Sequence, residues 1–410
     1  MDLIASLFPF QRDDVNNINS SPLTGHIIAN EMGTGKTYEA VAIDYCRRNA
    51  SDYEGGPTLV VAPLSTLPSW YNHFNDLTDL KVITIDPKNR YKFINAVKNQ
   101  EYDVYVIHWD VLRLVHEDLS GVKWHHIIAD EVHKAKNRKA QQTKALKKIK
   151  AKYKLAMSGT PIINRPDELW SILHWLYPKD YGSYWRFYER FLNYEIVYPG
   201  GYHKITGTKN VGALKEEIAP FVTRRVKKDV LKDLPPKYYT TVDVELVPKQ
   251  RRAYDQMRKD MIAWIGQNEQ EPLVAPAVIA KLVRLQQFSL AYAEFDEDFK
   301  VQLSKPSAKL DALLDIVHST DSQIVVFTQF VGMAKLVHEE LKGISELLIG
   351  ETSNRGELIE RFQRGDIRIL ICSIGAGGVG ITLTAADKAV FLDRSWSPAM
   401  NMQAEDRLHR

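Results

Sequence analysis

The stretch His26-Ile27-Ile28-Ala29-Asn30-Glu31-Met32-Gly33-Thr34-Gly35-Lys36-Thr37 runs from an apolar strand through a glycine-rich turn into a helix that begins Tyr38-Glu39-Ala40-Val41-Ala42. This order predicts a phosphate-binding loop. Gly33 and Gly35 let backbone N–H groups converge on phosphate oxygens, the helix N-terminus adds its dipole, and Lys36 brings a point charge to the β and γ phosphates. Thr37 is the expected magnesium ligand. The strict pattern has glycine where Asn30 stands, so the loop is a variant form.

A nucleotide site needs a second half, an acidic residue at the end of an apolar strand that holds magnesium near the γ-phosphate. Ile127-Ile128-Ala129-Asp130-Glu131-Val132-His133 supplies it several β/α units later. Asp130 is the candidate metal partner and Glu131 the candidate base that orients an attacking water. His133 either couples this site to a second ligand or only orients its neighbours; the sequence leaves both readings open.

Outward from these motifs the first half alternates short β-rich runs (26–29, 58–62, 81–85, 103–108, 125–130 and 153–158) with helix-like segments, the pattern of a parallel α/β sheet. From about residue 165 to 234 the chain turns aromatic and mostly helical and ends at the breaker Leu234-Pro235-Pro236, an insertion followed by a linker. Beyond it, 240–247 reads as a strand, 250–265, 277–291 and 308–319 as helices, and 323–328, 346–349, 367–373 and 388–393 as a second strand series. The expected domains are 1–236 and 237–410, the second with its own helical insertion at about 250–305. The sequence stops at Arg410 without a closing element, which predicts a second lobe cut short.

Composition excludes other classes. With 54 Lys plus Arg, 51 Asp plus Glu, 44% apolar residues and two cysteines, the chain is neither disordered nor a disulfide scaffold. Cys46 and Cys372 stand apart, so a cysteine-bound metal is not expected and a reducing compartment fits. There is no basic leader before the apolar N-terminal residues and no membrane-length apolar run, so neither export nor membrane insertion is expected. Charge is uneven: residues 132–166 hold no acid but eleven basic residues, among them Lys134, Lys136, Arg138, Lys144, Lys147 and Lys148. The run is either a solvated helix face or a polyanion contact. Gly375, Gly377 and Gly380 spell a dinucleotide fingerprint, yet 381–387 is too short for the helix that such a fold places before its next strand.

The order of motifs resembles helicase superfamily 2 and, within it, the SWI/SNF-related DNA translocases. The resemblance starts at Phe10-Gln11-Arg12 and continues through Ala29–Thr37, where Asn30 replaces the usual aspartate, Val61-Ala62-Pro63-Leu64-Ser65, Asp130–His133, and Ser158-Gly159-Thr160-Pro161 with Asp167–Trp170 behind it. More diagnostic are Thr223-Arg224-Arg225 with Lys227 and Asp229, Leu234-Pro235-Pro236-Lys237, and Gln250 with Tyr254. Val325–Phe330, Gly375–Asp387 and Gln403–Arg410 complete the set across nearly the whole chain.

The resemblance implies two RecA-like α/β lobes that close on ATP and magnesium and step along double-stranded DNA. It assigns adenine recognition to Gln11, phosphate contacts to Gly33, Thr34, Gly35, Lys36 and Gly378, and magnesium to Thr37 and Asp130. Catalysis falls to Glu131, Lys36 and the arginine fingers Arg407 and Arg410, whose spacing of three predicts one helix face. Sequence-independent DNA contacts fall to Pro63, Leu64, Ser65, Ser158, Gly159, Thr160, Thr328, Gln329, Gly375 and Gly377, with Lys147 and Lys148 from the basic run. Of the aromatic residues in the insertion, most are expected to pack in its core. The alternatives are a strand-separating DNA or RNA helicase and an ATP-gated DNA-binding subunit of a restriction or replication assembly. A protein partner in a host or viral DNA-processing pathway is compatible with either. With no chromatin-reading segment, a bacterial or viral source is favoured, which places the protein in the cytoplasm or nucleoid, and in the nucleus if eukaryotic.

Overall fold

A computed structural model describes residues 3–85, 90–159, 166–196, 203–267, 274–297, 300–377 and 381–409, and the chain divides into two compact units, Met1–Leu234 and Pro235–Arg410. The first unit contains β1 (Gly25–Ile28), β2 (Thr58–Ala62), β3 (Val82–Thr84), β4 (Val104–His108), β5 (Trp124–Ala129), β6 (Ala151–Met157), β7 (Leu192–Ile196), β8 (His203–Thr208) and the short β9 (Val222–Thr223). Seven of these form one parallel sheet in the order β3-β4-β2-β5-β6-β1-β9. Strands β2, β4 and β5 are buried along their whole length and rich in Val and Ile, as a sheet covered on both faces requires. Alternate residues feed opposite cores: Leu59, Val61, Ile107 and Ile127 pack with Trp109 and Trp124, whereas Val60, Val106 and Ile128 pack with Trp70 and Phe74.

Beneath this sheet lies a buried polar knot. Asp44 accepts hydrogen bonds from His126 Nδ1 at 2.9 Å, Thr58 Oγ1 at 2.7 Å and Arg48 Nε at 3.0 Å. Burial alone would raise its carboxyl, but these partners outweigh burial and hold it well below the usual carboxylate range. Arg47 Nη1 approaches His126 Nε2 at 3.3 Å, so the ring is neutral, donating at Nδ1 and accepting at Nε2. Desolvation also holds His26, His125 and His126 down to about 4, against an ordinary value of 6.5. The folded unit therefore binds fewer protons than the unfolded chain between these values. The stability these histidines contribute is complete above pH 6.5 and falls as pH drops towards 4. Thermal unfolding from pH 7 to 4.5 should show a steeply falling midpoint, and His125→Phe should flatten that slope.

The second unit holds β10 (Tyr292–Phe295) and β11 (Val301–Ser304), an antiparallel hairpin, and then β12 (Ile324–Thr328), β13 (Ser345–Leu348), β14 (Ile369–Ser373) and β15 (Lys388–Phe391). The last four make a parallel sheet in the order β13-β14-β12-β15. Both units are thus α/β lobes with parallel sheets. Each carries a mainly helical insertion, including the helices Pro166–Leu176 and Tyr184–Phe191 in the first and Pro248–Gln267 and Val274–Leu290 in the second.

Two local expectations need correction. Residues 241–246 alternate polar and apolar side chains, but no strand among the described residues pairs with 240–247 and Val242 is exposed, so the segment is not a strand. Each insertion also contains a hairpin, β7–β8 or β10–β11, where helix was expected. Residues 381–387 contain no helix, as the case against a dinucleotide fold required.

Candidate nucleotide-binding site

Parallel strands bring their carboxyl ends to one edge of a sheet, and ligands of open α/β sheets bind there. In the first unit this edge gathers the phosphate loop after β1, Pro63 to Ser65 after β2, Asp130 and Glu131 after β5, and Ser158 and Gly159 after β6. Gly33 and Gly35 take φ of 80° and 82°, the left-handed region that lets the loop curl, and the helix Lys36–Arg48 starts immediately after them. A Cβ at Gly35 would lie 2.4 Å from Gln11 Nε2, so only glycine fits. Gln11 is buried: its amide donates to the Thr34 carbonyl at 2.8 Å, while its Oε1 accepts from Phe8 N at 2.9 Å. Lys36 Nζ donates to the carbonyls of Asn30 and Glu31 at 2.9 and 3.2 Å, which keeps the ammonium within the turn. Gly159 closes the other side; a Cβ there would meet Met32 Cγ at 2.2 Å and Lys36 Nζ at 3.3 Å.

Two indoles hold Asp130 in place. Trp70 Nε1 donates to Asp130 Oδ2 at 3.1 Å and Trp109 Nε1 donates to its carbonyl at 2.9 Å. Burial, and then the neighbouring Glu131 charge, push the Asp130 carboxyl up to about 6. Glu131 itself sits at φ 48°, ψ 51°, a left-handed conformation that costs a non-glycine residue on the order of 1–3 kcal/mol. That strain turns the side chain towards His133, whose Nδ1 lies 3.2 Å from Glu131 Oε2. Two close carboxylates, a loop lysine and a nest of loop amides make a donor set suited to a phosphate chain and a hard, oxygen-liking divalent cation.

Behind the loop is a network that the sequence motifs did not reveal. Asn30 Nδ2 donates to Asp14 Oδ2 at 3.2 Å and to both Glu39 oxygens at 3.1 Å, while its Oδ1 accepts from Arg225 N at 2.7 Å. Arg225 Nε donates to Asp14 Oδ1 at 3.0 Å. The phosphate loop is therefore bound both to the helix Pro9–Ser20 and to the Arg224-Arg225 motif of the insertion. A signal was present: Asp14 falls on the buried stripe of Phe10, Gln11, Val15 and Ile18, where a carboxylate requires partners.

Other expected residues are placed as follows. Leu64 is exposed and Ser65 half-buried in a short 3-10 turn. Lys148 is exposed, but Lys147 lies over the Trp170 ring at 4.6 Å, and desolvation pulls its ammonium down to about 8. Lys147 is therefore not a fully solvated lysine, since an aromatic face already engages its charge. Lys136 pairs with Glu168 at 3.0 Å, so part of the basic run is neutralised within the unit. Trp170, Trp175 and Tyr181 are buried in the core, whereas Trp185 is exposed.

In the second unit Thr328 is fully buried and its hydroxyl bonds Asp393, so the hydroxyl shapes the loop after β12. Gln329 N donates to the same carboxylate at 2.9 Å. Gly375 is exposed in the short helix Ile374–Gly377 that follows β14. Arg407 is buried beyond the end of the helix Pro398–Glu405, so the expected single helix face with Arg410 does not form at Arg407. Thr160, Gly378 and Arg410 lie outside the described residues.

Residues 16–291 match the SNF2-related domain and residues 308–410 the helicase conserved C-terminal domain. The chain is 31% identical to the putative ATP-dependent helicase/translocase YwqA of Bacillus subtilis, over 94% of this chain and 42% of that protein. It is 29% identical to the transcription regulatory protein SNF2 of Saccharomyces cerevisiae, over 94% of this chain and 24% of that one. Thus it spans well under half the length of either relative. Among solved structures, the Sulfolobus solfataricus SWI2/SNF2 ATPase core in complex with dsDNA matches with a TM-score of 0.50 and 29% identity, covering 99% of this chain and 85% of that one. The domain match takes in the phosphate loop, the Asp130-Glu131 pair and the Arg224-Arg225 motif, and the chain belongs to the SNF2-related family.

Proposed function

We propose that the chain is a DNA-stimulated ATPase that translocates along double-stranded DNA, with residues 1–236 and 237–410 acting as its two lobes. The observation that carries this reading is the convergence of Lys36, Asp130 and Glu131 at the carboxyl edge of one sheet, with Lys36 held by loop carbonyls and Asp130 fixed by two indoles. Gln11 abuts the loop where an adenine would follow the phosphates. Thr37 and Asp130 would hold magnesium, which when bound neutralises charge on the β and γ phosphate oxygens. Glu131 orients the attacking water, and Arg407 and Arg410 meet the charge that develops on the transferring phosphoryl group. Backbone groups of residues 63–65 and 158–160, with Gln329, Gly375 and Gly377, contact DNA phosphates irrespective of sequence. The duplex held by the Sulfolobus relative favours double-stranded DNA as the track.

Turnover measured with and without blunt duplex DNA tests the reading, and the duplex should raise kcat severalfold. Hydrolysis indifferent to DNA would defeat it, and efficient separation of tailed duplexes would replace translocation by unwinding. Lys148→Glu with Lys150→Glu, both exposed, should weaken binding equally for all sequences and flatten the salt slope by about one unit per lost phosphate contact. A protein partner would be sought by pull-down from the native host.

A further inference from the structure

The segment that opens the second unit does not run free over its surface. Lys237 Nζ donates to Asp406 Oδ1 at 2.8 Å and lies 3.6 Å from Glu405 Oε2. Tyr239 OH donates to the same Glu405 oxygen at 2.8 Å. The Pro235 carbonyl accepts from His409 Nε2 at 2.7 Å. Three of the five residues from 235 to 239 thus bind the stretch 405–409, whereas the chain beyond Tyr239 runs extended and largely exposed to residue 247. Asp406 is 4% exposed, so its charge needs a partner, and within this stretch Lys237 supplies it.

The same stretch is fixed from its other side. Leu383 N donates to the Arg407 carbonyl at 2.9 Å, and Arg407 Nη1 donates to the Ile381 carbonyl at 3.4 Å. Glu405 receives a further bond from Arg394 Nη1 at 2.9 Å. The arginine-bearing stretch is therefore a short loop between the unit's leading segment and residues 381–383. Its backbone position depends on both anchors.

We propose that Lys237 is a positioning residue for catalysis: through Asp406 and Glu405 it ties the segment that opens the second unit to the loop that carries Arg407, so that strain in this segment is felt at that arginine. This rests on reading Arg407 and Arg410 as groups that stabilise the transferring phosphoryl. The physical basis is leverage at short range. Lys237 stands one residue beyond Pro235-Pro236, whose fixed φ values make that part of the connection stiff, and its ammonium grips the residue adjacent to Arg407. A displacement of about 1 Å in a charge-stabilising group is enough to cost a large factor in rate.

The test is steady-state ATP turnover of the full chain at saturating duplex DNA, read as separate kcat and KM values alongside thermal unfolding. Lys237→Met should lower kcat at least tenfold with KM for ATP and DNA affinity within twofold of the parent, and Lys237→Arg should regain most of the loss. In an Arg407→Ala background, Lys237→Met should cost little further, because it acts through the group already removed. Should Lys237→Met unfold the second unit, Tyr239→Phe, which keeps the ion pair, carries the test with an expected two- to fivefold loss of kcat. A kcat within twofold of the parent in a folded Lys237→Met, or losses that multiply in the double variant, would overturn the proposal. If instead Arg407→Lys and Arg410→Ala both turn over normally, the reading of the arginines fails on its own, and the positioning role falls with it.

Discussion

Glu131→Gln is expected to lower kcat for ATP hydrolysis by about 10²- to 10⁴-fold, the range for loss of a positioned acid–base group, while nucleotide affinity stays within a few-fold of the parent. Glutamine keeps the length and hydrogen-bonding shape of the side chain, so the phosphate loop, Lys36 and the indole-held Asp130 remain as they are. What is lost is the negative charge that draws a proton from water. It is also the charge that helps push Asp130 up to about 6, so its removal lets Asp130 ionise more readily and should tighten, not weaken, metal-dependent nucleotide binding. The left-handed backbone at Glu131 belongs to the argument, since a strained, non-glycine conformation at a strand end persists only where the surroundings demand it. Stopped-flow binding of a fluorescent ATP analogue, with single-turnover hydrolysis, separates the two effects. A variant that turns over normally would move the base elsewhere. The neighbouring histidine makes a finer prediction: His133→Ala frees Glu131 from its 3.2 Å neighbour and should blunt DNA stimulation more than basal turnover if the histidine couples the two ligands.

Much of this site was legible in sequence because its chemistry is local. A phosphate loop requires consecutive residues with small side chains and a following helix, and 33–37 state those requirements within five positions. The strands that precede Asp130 and Ser158 announced themselves by the apolar runs at their carboxyl ends, Ile127–Ala129 and Leu155–Met157, which a doubly covered parallel sheet favours. What stayed hidden was non-local. Lys147 looked like its neighbour Lys148 until Trp170, distant in sequence, was folded over it. Thr328 looked like an exposed hydroxyl until Asp393, in the bend just beyond β15, claimed it. Residues 241–246 alternate polar and apolar side chains, yet a strand exists only with a partner, and no local pattern reports the neighbour's absence. The departure at Asn30 was visible as a difference, but its meaning needed Asp14, Glu39 and Arg225 brought around it.

That network carries the second large effect. Asn30→Asp should destabilise the first unit by roughly 3–5 kcal/mol, the cost of leaving a buried charge without its partner. The Asn30 amide is the donor that satisfies Glu39 and reaches Asp14, and both carboxyls are buried. Aspartate at that position would remove the donor and add a third carboxyl to a cluster in which Arg225 is already engaged by Asp14. Even in the parent, burial first and Asp14 second push Glu39 up to about 8, against an ordinary 4.5, so it is largely protonated near neutrality. A carboxyl raised in the folded state binds more protons there than when unfolded. The stability associated with it is complete below pH 4.5 and is lost as pH rises through 8. The parent's unfolding midpoint should therefore fall as pH rises from 6.5, where the histidines no longer titrate, to 8, and Glu39→Gln, which cannot ionise, should remove that fall. The decisive experiment is the exchange: in Asn30→Asp with Glu39→Gln, the new glutamine amide donates to the new carboxylate, reversing the polarity of the 3.1 Å contact while the Arg225 N–H keeps its acceptor. The double variant should recover to within about 1 kcal/mol of the parent, the scale of one net hydrogen bond, with its nucleotide affinity restored in parallel because the same residues fix the phosphate loop. A double variant as unstable as Asn30→Asp alone would mean that Asp14 and Arg225, and not the Asn30–Glu39 contact, hold the loop in place.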